Sequence, residues 1–181
     1  MPAHTTRRFK ENWPIIRFVL VTLISIVGFY VLIHVEFVDE KLIQPYTHFV
    51  ATASRAALRL FGISAGGSGT LIVSPEFSVN IKNVCNGLEV TAILFATILA
   101  FPATIKSKLI GLAIGYPVIF VVNLARVVVL FFLGFKQPQI FDTVHYFYSQ
   151  AFVIIATVAV WFVWMSLFSS YGTKSNQAVS H

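Results

Sequence analysis

Four stretches of this chain are each apolar for long enough to cross a lipid bilayer, and a soluble fold of this size cannot bury them all. A helical crossing needs about 20 mainly apolar residues, at a rise of ~1.5 Å each. Residues 17–35, 84–102, 109–133 and 147–168 reach or approach that length, and Pro102 closes the second. Hydrophobic residues make up 57% of the 181 positions and charged residues 11%. Ordinary soluble domains carry roughly 25% charged residues. A soluble globular enzyme, a disordered chain and a basic nucleic-acid binder are thereby excluded. The net charge of +6 is spread along the sequence, with no interleaved aromatic and basic motif, so no nucleic-acid partner is expected. The expected fold is an all-α membrane protein, one domain over residues 1–181. It has about four transmembrane helices, an outer-face amphipathic helix and a small β-hairpin.

The first stretch follows a basic start, as a secretory signal would. No small-x-small cleavage site follows Ile33, so an uncleaved helix is expected. Lys and Arg set the orientation. Arg7, Arg8, Lys10 and Arg17 precede the first span, Lys106 and Lys108 lie between the second and third, and Lys174 is in the tail. With four spans these fall on one side, which is therefore cytoplasmic, with both termini there. The opposite side carries Lys41, Arg55, Arg59, Lys82 and Lys136, but also Glu36, Asp39, Glu40, Glu76 and Asp142.

Residues 36–83 form the long outer segment. Leu42, Tyr46, Phe49, Val50, Ala53, Ala57 and Leu60 recur at helical spacing, with His48, Thr52, Arg55 and Arg59 on the other face. That pattern predicts an amphipathic helix lying on the membrane, its two arginines meeting lipid phosphates. After the Gly66-Gly67-Ser68-Gly69 turn, Thr70–Val73 and Phe77–Ile81 flank Ser74-Pro75-Glu76, which predicts a β-hairpin. The glycines lack the Gly-Lys-Ser/Thr ending of a phosphate loop.

Reactive or charged groups in a membrane span are costly and by default mark function. Cys85, Arg126 and His145 are such groups. Cys85 is 18 residues before Ala103, and Arg126 is 18 residues after Lys108. Each therefore sits about 27 Å from the cytoplasmic face if helical. His145 lies 24 residues before Ser169, about 36 Å along an unbroken helix. With a hydrocarbon core of ~30 Å, all three approach the outer boundary.

Their neighbours support chemistry. Asn86 and Glu89 have the spacing of a capping pair, which would set Cys85 before the positive end of a helix and lower its pKa. Gly87 would let a substrate backbone come close. Asn123 shares a helical face with Arg126, whose guanidinium could stabilise an oxyanion. His145 could take the thiol proton and return it to a leaving amine. The competing readings are a buried inert thiol, an Arg126–Glu89 ion pair or a snorkelling arginine, and an interfacial histidine of the kind His34 and His48 represent. A lone cysteine permits no intramolecular disulfide, and one Cys with scattered His gives no metal-ligand spacing, so no metal is expected.

The stretches Val84-Cys85-Asn86-Gly87-Leu88-Glu89 and Asn123-Leu124-Ala125-Arg126-Val127, with His145 among its aromatic neighbours, resemble the exosortase/archaeosortase family. That family carries Cys, Arg and His in this chain order on different transmembrane helices. The resemblance spans about Gly62 to Trp164. It is closest to the compact exosortase H type, since typical exosortases have around eight spans. Asn86 stands where many members have Ser or Ala. The resemblance implies a nucleophile at Cys85, with Arg126 and His145 completing the triad. Asn86, Gly87, Glu89 and Asn123 are the expected supporting or substrate-binding residues, and no cofactor is expected.

The resemblance further implies a cysteine peptidase or transpeptidase in the bacterial inner membrane, acting at its periplasmic face. Its partners would be exported proteins ending in a motif, a helix and a basic cluster, with an Ile-Pro-Thr-Leu-like motif for the H type. Cleavage would pass through a thioester to an amine, a lipid-linked acceptor or water, in contact with membrane lipid. The rival readings are a non-enzymatic assembly or transport subunit and a channel for a small polar solute.

Overall fold

Membrane-length helices dominate the computed structural model, which describes residues 3–168, without the side chains of residues 3–11 and Val84. Lys174 and Ser169, expected in the tail and at the end of the last span, lie outside the described residues, as do the side chains of Arg7, Arg8 and Lys10. In chain order come α1 (Ala3–Ile33), α2 (Glu36–Val38), a π-helical turn (Asp39–Ile43), α3 (Gln44–Leu60), β1 (Leu71–Val73) and β2 (Ser78–Asn80). A 3-10 turn (Asn83–Cys85), α4 (Leu88–Ala100), α5 (Ile105–Lys136), α6 (Pro138–Thr143), a second π-helical turn (Val144–Tyr148) and α7 (Ser149–Phe168) follow.

By length and composition, Asn12–Ile33, Ile105–Lys136 and Pro138–Phe168 can cross a membrane. The second expected span is shorter than its apolar run: α4 has 13 residues, about 20 Å of rise. Its start is delayed by Gly87, whose φ of +82° is left-handed. It ends at Phe101, held extended with ψ 139° ahead of Pro102. Thr104 then caps α5, accepting a hydrogen bond from Ser107 N at 3.2 Å.

The long helices alternate in direction. Phe18, midway along α1, meets Phe101 at the end of α4 and Trp161 in α7, with ring centroids 5.9 and 6.0 Å away. Across α5 and α7, Trp164 donates its indole N–H to Ser107 O at 2.8 Å at one end. At the other, Arg126 donates to Ser149. Val90, Leu94, Ile98, Ile119, Val153 and Trp164 form the core between α4, α5 and α7. Apolar side chains such as Leu23 of α1, Val121 of α5 and Ile155 of α7 stay exposed, as lipid-facing positions must.

The outer segment differs from its expected arrangement. Tyr46 hydrogen-bonds Tyr116, Phe49 stacks on Phe120 at 5.5 Å, and Phe61 meets Phe132 edge-on at 6.3 Å. Partner numbers rise together, so α3 runs parallel to α5 and stands against its outer half rather than lying flat. Its buried stripe is Thr47, Val50, Ala51, Ser54 and Leu58. Leu42, Phe49 and Leu60 are exposed. Small residues let two helices approach, and the hydroxyls of Thr47 and Ser54 are satisfied by Ile43 O and Val50 O, both at 2.8 Å. Arg55 and Arg59 also depart from their expected lipid role. Arg55 donates to Gly69 O and Leu71 O, and Arg59 to Ala65 O, which clamps the glycine-rich loop to α3.

The hairpin forms as the turn residues suggest, with Ile72 opposite Val79 in an antiparallel pair. Buried Ile72 and Ile81 join Val50, Leu58, Val127 and Phe131 in a second core above the first. The molecule is thus a helical membrane body under a cap made by α3, the hairpin and the outer part of α5.

The packing of α5 on α7 turns on Gly111, where an added Cβ would lie 2.4 Å from Trp164 Nε1. Trp164 is buried and hydrogen-bonded, so it cannot withdraw cheaply. Gly111→Ala should destabilise the protein by about 1–3 kcal/mol through overpacking. Gly28→Ala, with nothing within 4 Å of the new Cβ, should be neutral or gain up to ~1 kcal/mol of helix propensity. Thermal unfolding in detergent compares the two.

Candidate active site

Cys85 ends the 3-10 turn before α4, outside the membrane-length helix. A polar chain holds this turn in place. Asp39 Oδ1 accepts from Asn83 Nδ2 at 2.7 Å, Asn83 Oδ1 accepts from Thr47 at 3.3 Å, and Thr47 Oγ1 accepts from Asn86 Nδ2 at 2.9 Å. The turn is thereby pinned to α3 and to the π-helical turn that bears Asp39.

The expected Asn86–Glu89 capping pair does not form. Asn86 Oδ1 instead accepts from Leu88 N at 2.8 Å, and Gly87 takes the N-cap position. Glu89 faces a separate cavity of about 450 Å³ beside Phe29, His34, Glu36 and Asp39, away from Cys85. The left-handed Gly87 breaks the geometry in which a side chain three residues on reaches back to the cap. Space over Gly87 serves the protein itself: a Cβ there would lie 2.8 Å from Asn123 Cγ. A substrate backbone was the expected occupant.

Asn123, 2% exposed, uses that closeness. Its Nδ2 donates to Cys85 O at 3.3 Å, and its Oδ1 accepts from Arg126 Nη1 at 3.4 Å. Arg126 is 6% exposed. Its Nε donates to Ser149 Oγ at 3.1 Å, and Ser149 Oγ donates to His145 O at 2.6 Å. The guanidinium therefore bonds two neutral oxygens and not Glu89, which disposes of the expected ion-pair rival. Five N–H donors are available to an arginine, so some remain for a ligand.

His145 lies in the π-helical turn Val144–Tyr148. Such a turn rotates the side chains that follow, and this register brings Nε2 to 3.2 Å from Cys85 Sγ. Phe141 and Tyr146 flank the ring, with centroids 5.5 and 5.0 Å away. Neither Asp142 nor Gln150 hydrogen-bonds it among the described residues.

Cys85, Arg126 and His145 line one small cavity of about 30 Å³, walled by Phe77, Val79, Leu130, Phe131 and Phe141. Burial pushes the Cys85 thiol above its ordinary value, and the Arg126 charge pulls it only part of the way back. The expected lowering by a helix N-terminus is not the net result, because the turn leaves the sulfur half-buried among apolar side chains. The shift favours the protonated thiol, which can donate to the imidazole 3.2 Å away. Ser149, Thr47, Asn83 and Asp39 carry no sequence motif. Only the i, i+4 spacing of His145 and Ser149 could have signalled the link to Arg126.

A family model described as transmembrane exosortase matches residues 13–162 of the 181. No curated protein and no solved structure matches the chain. The match covers the three membrane-length helices in large part, and Cys85, Arg126 and His145 all fall within it.

A raised thiol pKa makes alkylation of Cys85 by iodoacetamide accelerate across neutral pH and on through the ordinary thiol range. Removing the cation in Arg126→Gln raises the pKa further, and each unit costs about tenfold in thiolate below the pKa. The variant should therefore label more slowly at pH 7–8. A wild-type rate already level by pH 7 would mean a resting thiolate.

Proposed function

The chain belongs to the transmembrane exosortase family, and we propose that it is a membrane cysteine transpeptidase that removes the C-terminal sorting tail of exported proteins. The observation that carries this reading is the 3.2 Å contact between Cys85 Sγ and His145 Nε2, in the cavity that Arg126 also lines. A scaffold has no use for a thiol, an imidazole and a buried guanidinium delivered to one point by three segments.

The mechanism follows from the geometry. His145 takes the Cys85 proton as the sulfur attacks the carbonyl carbon at the cleavage point. Negative charge then gathers on the carbonyl oxygen, and N–H donors of Arg126 stabilise it in a site poor in water. As the C–N bond breaks, the His145 imidazolium protonates the departing amine, and the tail helix leaves. The acyl group remains on Cys85 as a thioester. An amine, a lipid-linked acceptor or water then attacks it, with His145 taking that nucleophile's proton and returning it to the sulfur.

Asn123 and Ser149 act as positioning residues, because each ties Arg126 to the backbone of one reacting partner. The basic residues near the start of α1 and between α4 and α5 support cytoplasmic termini and a periplasmic site in a bacterial inner membrane. The small number of spans supports the compact H type. Substrates are then exported proteins carrying a motif, a helix and a basic cluster.

Cys85→Ala should abolish tail cleavage of a co-expressed tailed protein while the variant still inserts in the membrane. Wild type should yield a hydroxylamine-sensitive adduct with that protein, as a thioester must. Full processing by Cys85→Ala defeats the reading. Tail binding that survives the substitution, with no adduct in wild type, points to an assembly subunit.

A further inference from the structure

The hairpin presents one open strand edge, and that edge borders the cavity at Cys85. Its register pairs Leu71 with Asn80, Ile72 with Val79 and Val73 with Ser78. Flanking bonds from Ser74 N to Phe77 O and from Ile81 N to Thr70 O fix the alternation. Ile72 and Val79 are then the hydrogen-bonded pair, and the N–H and C=O groups of Ser78 and Asn80 point away from β1.

The two edges differ sharply. On the far side of β1, Val73 exchanges bonds with Gly66 at 2.7 and 3.0 Å, and Leu71 O accepts from Arg55 at 2.9 Å. On the far side of β2, no hydrogen bond reaches the backbone of Ser78 or Asn80 among the described residues, and both residues are exposed. An exposed edge of this kind is a template for another strand, and proteins ordinarily blunt it with a proline, a lysine or a bulge. β2 has none of these, whereas β1 is capped.

What lies beside the edge narrows the occupant. Phe77, Val79, Asn80 and Ile81 wall the same cavity as Cys85 and His145. Phe77 is held firmly there. A Cβ on Gly134 would lie 2.3 Å from Phe77 Cζ, and the rings of Phe131 and Phe141 stand 5.4 and 5.6 Å from it. The wall opposite the reacting groups is apolar and contains no carboxylate or lysine. The cavity is small, which suits a small aliphatic side chain better than a large ring. A cationic side chain would lose its hydration there and meet the Arg126 charge.

We propose that the peptide cleaved at Cys85 docks as an extended strand on the free edge of β2 and sets one small aliphatic side chain into the cavity against Phe77 and Leu130. Main-chain bonds to Ser78 and Asn80 hold the segment whatever its sequence, and the cavity selects the side chain beside the cleaved bond. An extended segment turns alternate amides toward the edge. Every second substrate N–H is therefore needed and the others are not. The inference rests on Cys85 as the nucleophile, because that residue fixes where the peptide must lie.

The test uses the full-length protein in lipid nanodiscs and an acetylated pentapeptide vinyl sulfone ending in Val, which captures a thiol by conjugate addition. Mass spectrometry follows labelling at Cys85, with iodoacetamide as the edge-independent control. N-methylation of one alternate set of peptide amides should slow labelling about tenfold, as loss of edge hydrogen bonds does, and methylation of the other set should leave it within about twofold. Lys or Trp in place of the final Val should slow it comparably. Ser78→Pro removes an edge N–H that no described residue uses, and should slow the peptide while sparing iodoacetamide. If that variant fails to insert, the N-methyl series on the wild-type protein decides. No labelling by the peptide, or equal effects of both amide sets, overturns the docking mode. Tail processing by Cys85→Ala overturns the nucleophile instead, so the two failures are distinguishable.

Discussion

A guanidinium buried in a lipid-spanning helix has to be met by hydrogen-bond acceptors, and the way Arg126 is met organises everything around it. A carboxylate would neutralise the charge and lower its burial cost. The protein offers two neutral oxygens instead, from Asn123 and Ser149. Each of those residues is in turn bonded to a backbone carbonyl, Cys85 O on one side and His145 O on the other. The charge thus ties the turn before α4, helix α5 and the turn before α7 into a closed circuit, completed by the sulfur–imidazole contact. The positive charge stays uncancelled by any described carboxylate in hydrogen-bond contact. That arrangement costs stability and leaves the field of the guanidinium available to an anion that forms only during reaction.

Irregular backbone makes the circuit geometrically possible. A regular helix through Cys85 would carry the sulfur around the α4 axis, and a regular α7 extended back through His145 would carry the ring elsewhere. A 3-10 turn, a left-handed Gly87 and two π-helical turns interrupt the helices at this one level. Such departures are tolerated at membrane depth only where protein covers the freed polar groups. Here the cover is α3, whose Thr47 receives the side chain of Asn86 and donates to Asn83. The upright stance of α3 against α5 is therefore a requirement of the site as well as of the outer core.

The division between what could and could not be read from the sequence has physical causes. Span lengths, the hairpin and the shared depth of Cys85, Arg126 and His145 follow from rise per residue and charge placement, which are local. The sequence periodicity of α3 does not mark the face that packs on α5. Large apolar residues set the sequence periodicity, whereas close packing on α5 selected Ala51, Ser54 and Thr47. Arg55 and Arg59 were assigned to lipid because a loop carbonyl leaves no trace in composition. Glu89 was joined to Asn86 because the spacing fits a regular helix start, and the positive φ of Gly87 removes that regularity. Ser149 carries no sequence signal because a serine in an apolar run is common, and only its bond to Arg126 gives it weight.

The protonation state of the thiol bears on the fate of the acyl group. A resting thiolate in an open site would react with any electrophile and leave water free to compete. Here burial raises the Cys85 thiol pKa, and His145 stands in place to receive its proton in the proposed attack on a substrate carbonyl. The same apolar wall of Phe77, Leu130, Phe131 and Phe141 that raises the thiol pKa also narrows the space beside the sulfur. In the proposed mechanism a nucleophile held in place by its own binding therefore has the advantage over water at the thioester. In the proposed mechanism the wall that raises the thiol pKa also surrounds an acyl group on Cys85, so the two properties cannot be tuned apart without opening the wall.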